Sequence, residues 1–396
     1  MRVAVAGAGA FGRNHLRVYR ELEAAGQGVA LVAVVEPDAA RAADAAARYA
    51  IPVFATVDEL LAVDLALDAA TVAVPTVHHH GVASVLLDAG LDLLVEKPLA
   101  ATLAEADDLI RSAHIGGRIL QPGHLERFNP AVLAVQPQLR RPMFFEAHRL
   151  SVFTPRSLDV DVVLDLMIHD LDIVLTFAAS PVREVRAVGL PILSPKVDIA
   201  NVRIEFESGC VANFTASRVS TERVRKLRFF EPRQYVSIDY ARQDLLIIHV
   251  EAGAGKASPA ELIASLPPQV AAMLPPGIAE GIASGKIDLK KIDPAMIAQF
   301  AAMAKIDPAL IAQMLAQFTN PAESKAGLSF SKPAVTPGEP LRLEILSFLN
   351  AVRTRQQPQV TAGQGRNALA LALEIQASMA AHAHRAGLED FFAPGA

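Results

Sequence analysis

A short apolar run breaks into Gly7-Ala8-Gly9-Ala10-Phe11-Gly12, then into an amphipathic stretch from Arg13; no other feature constrains this chain as much. Three glycines at this spacing, between a strand and a helix, meet three demands. Gly7 permits a tight turn, Gly9 leaves room for a pyrophosphate against the backbone, and Gly12 lets helix and strand pack closely. The helix N-terminus adds unpaired amides and a partial positive charge. The next strand ends at Glu36, 24 residues after Gly12. A carboxylate there accepts hydrogen bonds from adenosine ribose hydroxyls and repels a 2′-phosphate. Pro37 and Asp38 follow, and Arg41 reads as a surface residue, so NAD is the expected cofactor rather than NADP. An ordinary glycine turn in an α/β protein is the competing reading.

The rhythm of the chain supports the first reading. Apolar runs at Val3–Ala6, Ala30–Val35, Ala70–Val74, Leu91–Val95 and Arg118–Gln121 alternate with amphipathic segments at Arg13–Ala25, Ala39–Ala50, His78–Ala89 and Leu103–Ala113. Continuous apolar strands between helices predict a parallel sheet covered on both faces. Beyond Gly123 the strands crowd together: Phe144–Leu150, Glu184–Leu190, Ala200–Glu207, Cys210–Ser217, Arg225–Glu231 and Tyr235–Tyr240, with a hairpin turn at Glu207–Cys210. That pattern predicts a mainly antiparallel sheet. One long helix, Val160–Ala178, precedes most of it, and Leu341–Arg353 and Gly365–Gly387 read as two more. The expected fold class is therefore α/β. A Rossmann dinucleotide-binding domain over 1–123 joins an α+β domain with a large open sheet over 124–250 and 339–392. Between them, 251–338 is a helical insert rich in Ala, Pro and Met, where Lys291–Gln299 recurs as Lys305–Gln313, each unit led by an Asp-Pro cap. Open sheet faces commonly pair, so a homodimer or homotetramer is expected.

Composition removes several function classes. Lys and Arg total 37 against 42 Asp and Glu, a net charge of −5, which argues against nucleic-acid binding. The single cysteine, Cys210, leaves no intrachain disulfide or Cys-rich metal site and fits a reducing cytoplasm. No secretory or membrane-spanning segment is expected. His78-His79-His80 are neighbours rather than an i, i+4 pair, so no metal site is expected.

Two elements carry chemistry. Lys97, in Glu96-Lys97-Pro98, sits at the carboxyl end of a predicted parallel strand, where sites in such sheets form. A desolvated lysine there, beside a nicotinamide, has a lowered pKa. In the long helix, Asp161, Asp165, His169 and Asp172 fall on one face among apolar neighbours. A buried ionisable stripe is costly unless paired or functional, and either a site or a structural network explains it.

With the glycine turn and Pro75-Thr76-Val77-His78-His79, these elements resemble the Gfo/Idh/MocA family of sugar and polyol oxidoreductases, over about residues 1–250 and 339–385. Met167 departs from the glycine that family often has between its Asp and His. The resemblance implies that Lys97 and His169 are the catalytic pair, with Lys97 polarising the hydroxyl, His169 taking its proton and Asp165 orienting one of them. Which of Lys97 and His169 is the base stays open. It further implies a Lys97-Pro98 bond that is often cis, and a cofactor lying against Gly7, Gly9, Ala10, Phe11, Gly12, Glu36, Val74, Pro75, Thr76, His79, Glu96 and Lys97.

Gly123–Pro130, Phe153–Arg156 and Val162–Asp170 resemble the branch of that family that oxidises the 3-hydroxyl of UDP-N-acetylglucosamine on the way to lipid A, coupled to an aminotransferase. This implies a nucleotide-sugar substrate held by Lys97, His124, Arg127, Asn129, Arg156, Asp165 and His169. Arg127 and Arg156 are candidates for its diphosphate, with surface salt bridges as the alternative. The basic stretch Arg218–Arg233 reads as a solvated sheet face. Another sugar or inositol dehydrogenase, and a non-catalytic NAD-binding regulator or scaffold, are the competing functions.

Overall fold

The computed structural model describes residues 1–153, 160–252 and 326–388. Arg156 and nearly all of the 251–338 insert, with its tandem repeat, lie outside the described residues. The chain separates into two compact units, one of Met1–Leu227, Asp239–Asp244 and Val335–Ala396, the other of Arg228–Ile238 and Leu245–Ala334.

The first unit opens with strands β1 (Arg2–Ala6), β2 (Ala30–Val35), β3 (Val53–Phe54), β4 (Ala69–Val72), β5 (Asp92–Glu96) and β6 (Leu120–Gly123). They form one parallel sheet in the order β3-β2-β1-β4-β5-β6. The order reverses between β1 and β4, and ligands of such sheets bind at that reversal, beyond the carboxyl ends of the strands. The crossovers carry helices α1 (Gly12–Ala24), α2 (Ala39–Tyr49), α3 (Val57–Leu61), α4 (His79–Asp88) and α5 (Leu103–Gly116). Alternation along β1 sends Val3 and Val5 to the face packed by Leu16, Tyr19 and Leu22 of α1, and Ala4 and Ala6 to the face packed by Leu86, Leu87 and Leu109. Both faces are covered, so the strands read as unbroken apolar runs. The two-residue β3 and five-residue α3 are additions to the expected elements, being too short to show a period.

After β6, Asn129 caps α6 (Pro130–Val135) by accepting from the Ala131 amide. Strand β7 (Phe144–Leu150) follows. A π-helical turn, Val163–Met167, then leads into α7 (Ile168–Ala178). Next come β8 (Val182–Leu190), β9 (Ile199–Phe206), β10 (Val211–Ser217) and β11 (Val224–Glu231), the last running out of this unit. Here β8, β9 and β10 are antiparallel neighbours, while β10 and β7 pair in parallel from Val211↔Phe144 to Ser217↔Leu150. Gly209 (φ +81°) makes the β9–β10 hairpin. Inward residues of β9 (Ala200, Val202, Ile204, Phe206) are buried, and outward Asn201 and Arg203 are exposed. The stretch 218–233 is not the uniform solvated face expected. Arg218 is buried, its Nε 2.7 Å from Asp198 Oδ1, because an isolated buried aspartate requires a cation.

Two helices close the unit: α8 (Pro340–Thr354) and α9 (Ala362–Ala386), the latter with a Thr361–Gln364 capping box. Ile345 and Phe348 of α8 pack into the core built on Val3, Val5 and Leu16. In the second unit, β12 (Gln234–Asp239) and β13 (Asp244–Ala252) precede β14 (Ala326–Ser331), and β13 and β14 pair antiparallel. Strand β13 is a further addition, although its Leu245–Ile248 run carries the signal.

Candidate active site

The glycine turn is built as its spacing requires. Gly7 has φ +98°, and a Cβ there would stand 2.5 Å from the Ala73 carbonyl oxygen. A Cβ on Gly12 would lie 2.0 Å from the Gly7 oxygen, whereas one on Gly9 would meet nothing within 4 Å. The space at Gly9 thus lies outside the protein's own packing, which fits a cofactor phosphate resting on the backbone. Ala10 and Phe11 complete the turn, and the Phe11 ring sits edge-on to His15, 5.5 Å between centroids.

Glu36 is buried at the end of β2. Its Oε2 accepts from the Ala8 amide (2.8 Å), and its Oε1 from the Asp38 amide (3.0 Å) and the Arg41 guanidinium (2.9 Å). Burial opposes ionisation, but these hydrogen bonds outweigh it and hold the carboxyl below its ordinary pKa. Arg41 is half exposed as expected, yet it is engaged with Glu36.

Val74, Pro75 and Thr76 follow β4, next to the end of β1. His79 ties this turn to the next one: its Nδ1 is 2.8 Å from the Pro98 oxygen and its Nε2 2.9 Å from the Val74 oxygen. Burial lowers its pKa. Of its neighbours, His80 pairs with Asp108 at 2.9 Å. No group of three metal-ligating side chains occurs among the described residues.

At the end of β5, Glu96 faces inward, 2.7 Å from Nε2 of the buried His15. The Lys97-Pro98 bond is cis. The Lys97 side chain is largely buried, and its Nζ donates to the Asp165 carbonyl at 2.7 Å, with the Asp165 carboxylate at 3.8 Å. The π turn explains that contact: it interrupts the helical ladder, and the lysine meets its backbone carbonyls. Burial lowers the Lys97 pKa, opposed by the charges of Asp165 and Glu96.

One turn beyond Asp165 stands His169. Burial, reinforced by the positive charges of Lys97 and Arg149, drives its pKa well below the usual histidine value, so the ring is neutral at pH 7. Its Nδ1 is buried and unpartnered among the described residues.

The stripe expected on this helix is divided among different elements. Asp161 caps the Val163 and Leu164 amides and accepts from Gln376 of α9, Asp165 meets Lys97, and Asp172 lies 3.5 Å from Arg127. A π turn closes wider i→i+5 rings, so helical spacing does not carry through 163–167.

Lys97 meets Asp165, and Lys97 and His124 both lie close enough to His169 for their charges to act on it, whereas Arg127 and Asn129 are held by other partners. His124 is fully buried, its Nδ1 3.9 Å from Asp172. Arg127 is no surface residue: it is enclosed, donating to Thr176 beside Asp172. The Asn129 amide is taken up by the Tyr240 oxygen (3.0 Å), Glu126 (3.2 Å) and the α6 cap.

Sequence reasoning missed the layer behind the site. Arg149 of β7 donates Nε and Nη2 to Asp170 (2.7 and 3.1 Å) and Nη1 to Glu126 (3.0 Å), under the Tyr240 ring. Its signal was parity: it shares the inward side of β7 with Phe145 and Ala147. Glu344 of α8 is fully buried with no hydrogen-bond partner for either oxygen among the described residues, and burial raises its pKa well above the carboxylate range.

Known proteins match both parts of the chain. A family described as "Oxidoreductase family, NAD-binding Rossmann fold" matches residues 1–124, and its C-terminal domain matches 131–233. The UDP-N-acetylglucosamine 3-dehydrogenase of Acidithiobacillus ferrooxidans is 39% identical over 254 residues, 64% of this chain and 78% of that protein. A solved structure of the enzyme of that name from the same species superposes with a TM-score of 0.73 at 31% identity, over 96% of this chain and 98% of the other. An inositol 2-dehydrogenase of Leifsonia xyli is 33% identical over 193 residues, 47% of this chain and 56% of that protein.

Proposed function

This chain belongs to the Gfo/Idh/MocA family of NAD-binding oxidoreductases, and from that premise we propose that it oxidises the 3-hydroxyl of UDP-N-acetylglucosamine to the 3-keto sugar. It is a dehydrogenase. The observation that carries the reading is the Lys97 ammonium held 2.7 Å from the Asp165 carbonyl, one helical turn from a neutral, half-buried His169.

The glycine turn, Glu36 and the strand ends at Val74–Thr76 and Glu96–Lys97 would hold NAD, which would supply the hydride acceptor. Lys97 donates to the reacting oxygen and stabilises the negative charge that develops there. His169, already neutral, accepts the hydroxyl proton. Asp165 orients Lys97 through its carbonyl and keeps it protonated through its carboxylate. The glycine turn and these side chains belong to one unit.

The reading extends to a pathway and an assembly. The 3-keto sugar is a substrate for an aminotransferase, consistent with lipid A precursor synthesis in the cytoplasm. The protein assembles as a homodimer or homotetramer. The chain divides into a nucleotide domain over 1–123 and a substrate and assembly domain over 124–250 and 339–392, with 251–338 inserted. No described helix is long and apolar enough to cross a membrane.

The test is a screen of UDP-sugars, free sugars and inositols for NADH formation, with a ketone trap to draw the reaction forward. Turnover of UDP-N-acetylglucosamine is expected. Turnover of an inositol alone would replace the substrate, a reading favoured by the likeness to inositol 2-dehydrogenase. NAD binding without any turnover would make the protein a regulator.

A further inference from the structure

We propose that Arg225 binds an anionic group of the substrate, a phosphate oxygen in the case of a nucleotide sugar, and thereby sets selectivity for charged over neutral alcohols; this rests on the reading above.

Strand parity points Arg225 inward. It is two residues from Leu227, which is fully buried, and its backbone is fixed by the Tyr240 amide donating to the Arg225 oxygen at 3.0 Å. Its Nε is buried, and its guanidinium makes no hydrogen bond or ion pair among the described residues. The carboxylates whose charges reach it, Glu126 and Asp170, both hydrogen-bond Arg149 instead. Arg149 and exposed Arg223 add positive charge around it.

Arg225 is half-buried, and a guanidinium whose Nε is shut off from water without a partner is costly, while its planar fork of donors matches a phosphate. Arg225 lies close enough to His169 for its charge to act on that ring. Neither other inward arginine near the site is available: Arg127 is enclosed by Thr176 and Asp172, and Arg149 by Asp170 and Glu126. A neutral polyol would leave Arg225 unanswered, whereas a diphosphate would satisfy it.

The experiment measures KM for UDP-N-acetylglucosamine, and calorimetric binding of UDP and of inorganic pyrophosphate, in the wild type, Arg225→Ala and Arg225→Lys. NAD binding serves as the control for folding. For Arg225→Ala, KM should rise and UDP affinity fall by about 10–100-fold, the scale of hydrogen bonds to charged groups, with the loss in KM exceeding that in kcat. Arg225→Lys should recover part of it. If UDP-N-acetylglucosamine is turned over and Arg225→Ala leaves KM and UDP binding unchanged, the proposal is overturned and the function stands. If the wild type binds UDP or pyrophosphate through Arg225 but does not oxidise the nucleotide sugar, the function falls and the anion site stands. Should the wild type bind neither anion, the anion site is wrong. If Arg225→Ala loses NAD binding, Arg225→Lys and Arg225→Gln decide by the same measurements.

Discussion

Replacing Arg149 by methionine removes the cation from a fully buried layer and leaves Asp170 and Glu126 without the guanidinium that hydrogen-bonds them. Three hydrogen bonds, at 2.7, 3.0 and 3.1 Å, disappear together with the contact to the Tyr240 ring. Breaking a buried pair from one side costs about 3–5 kcal/mol, most of it the desolvation of the abandoned charge. At roughly 2–4 °C per kcal/mol, the melting temperature should fall by about 6–20 °C at pH 7. The loss should depend on pH. Burial already raises the folded-state pKa of Asp170, against the lowering effect of Arg149. Above the ordinary carboxylate range the folded state therefore holds more protons at Asp170 than the unfolded state, and that contribution is lost as pH rises through the raised value. Without Arg149 the value rises further, so the difference in melting temperature should shrink from pH 7 to pH 5. Melting curves of both proteins across that range are the assay. Adding Asp170→Asn and Glu126→Gln to the variant should restore most of the stability. A single variant that melts with the wild type, or a deficit that is constant with pH, would refute the reasoning.

Three other outcomes follow from the site. Lys97→Ala and His169→Ala should each lower turnover by about 100-fold or more, and in His169→Ala NAD binding, followed by fluorescence, survives; near-normal rates in both would remove them from the mechanism. With Lys97 needed protonated, kcat/KM should fall as pH rises through a lysine pKa below its ordinary value. Asp165→Asn should move that limb lower still, because the Asp165 charge, with that of Glu96, opposes the lowering; activity that rises with pH there would make Lys97 the base instead, and a limb unmoved by the change would belong to another group. Glu36→Ala should relax the preference for NAD over NADP, since it frees Arg41 for a 2′-phosphate; comparable KM values for both cofactors in the wild type would contradict this.

What could be read from the sequence was whatever chemistry the chain declares locally. The Gly7–Gly12 turn and Glu36 announce themselves by spacing, and Lys97 by its place after an unbroken apolar strand. The π turn at Val163–Met167 leaves no such mark, and it decides that Lys97 meets a carbonyl of this helix. Arg127 and Asn129 look like substrate ligands until Asp172, Thr176 and Tyr240, distant in sequence, are seen to occupy them. Arg149 and Arg225 were legible in principle as cations on inward strand positions, but an inward arginine has meaning only once its carboxylates are located. Glu344 carries no local signal.

The packing of α8 against β1 and α1 also bears on how the protein is made. Leu341, Ile345 and Phe348 share a core with Val3, Val5 and Leu16. The segment between α1 and α8 must therefore be synthesised before β1 and α1 can bury that side. During translation the glycine turn is made long before α8, yet the wall behind it stays wet until α8 emerges. A nascent chain stalled before Pro340, or a fragment cut there, presents an oily groove shaped for one particular helix and recruits chaperones to it. Supplying Pro340–Thr354 as a separate peptide is the natural way to quiet such a fragment.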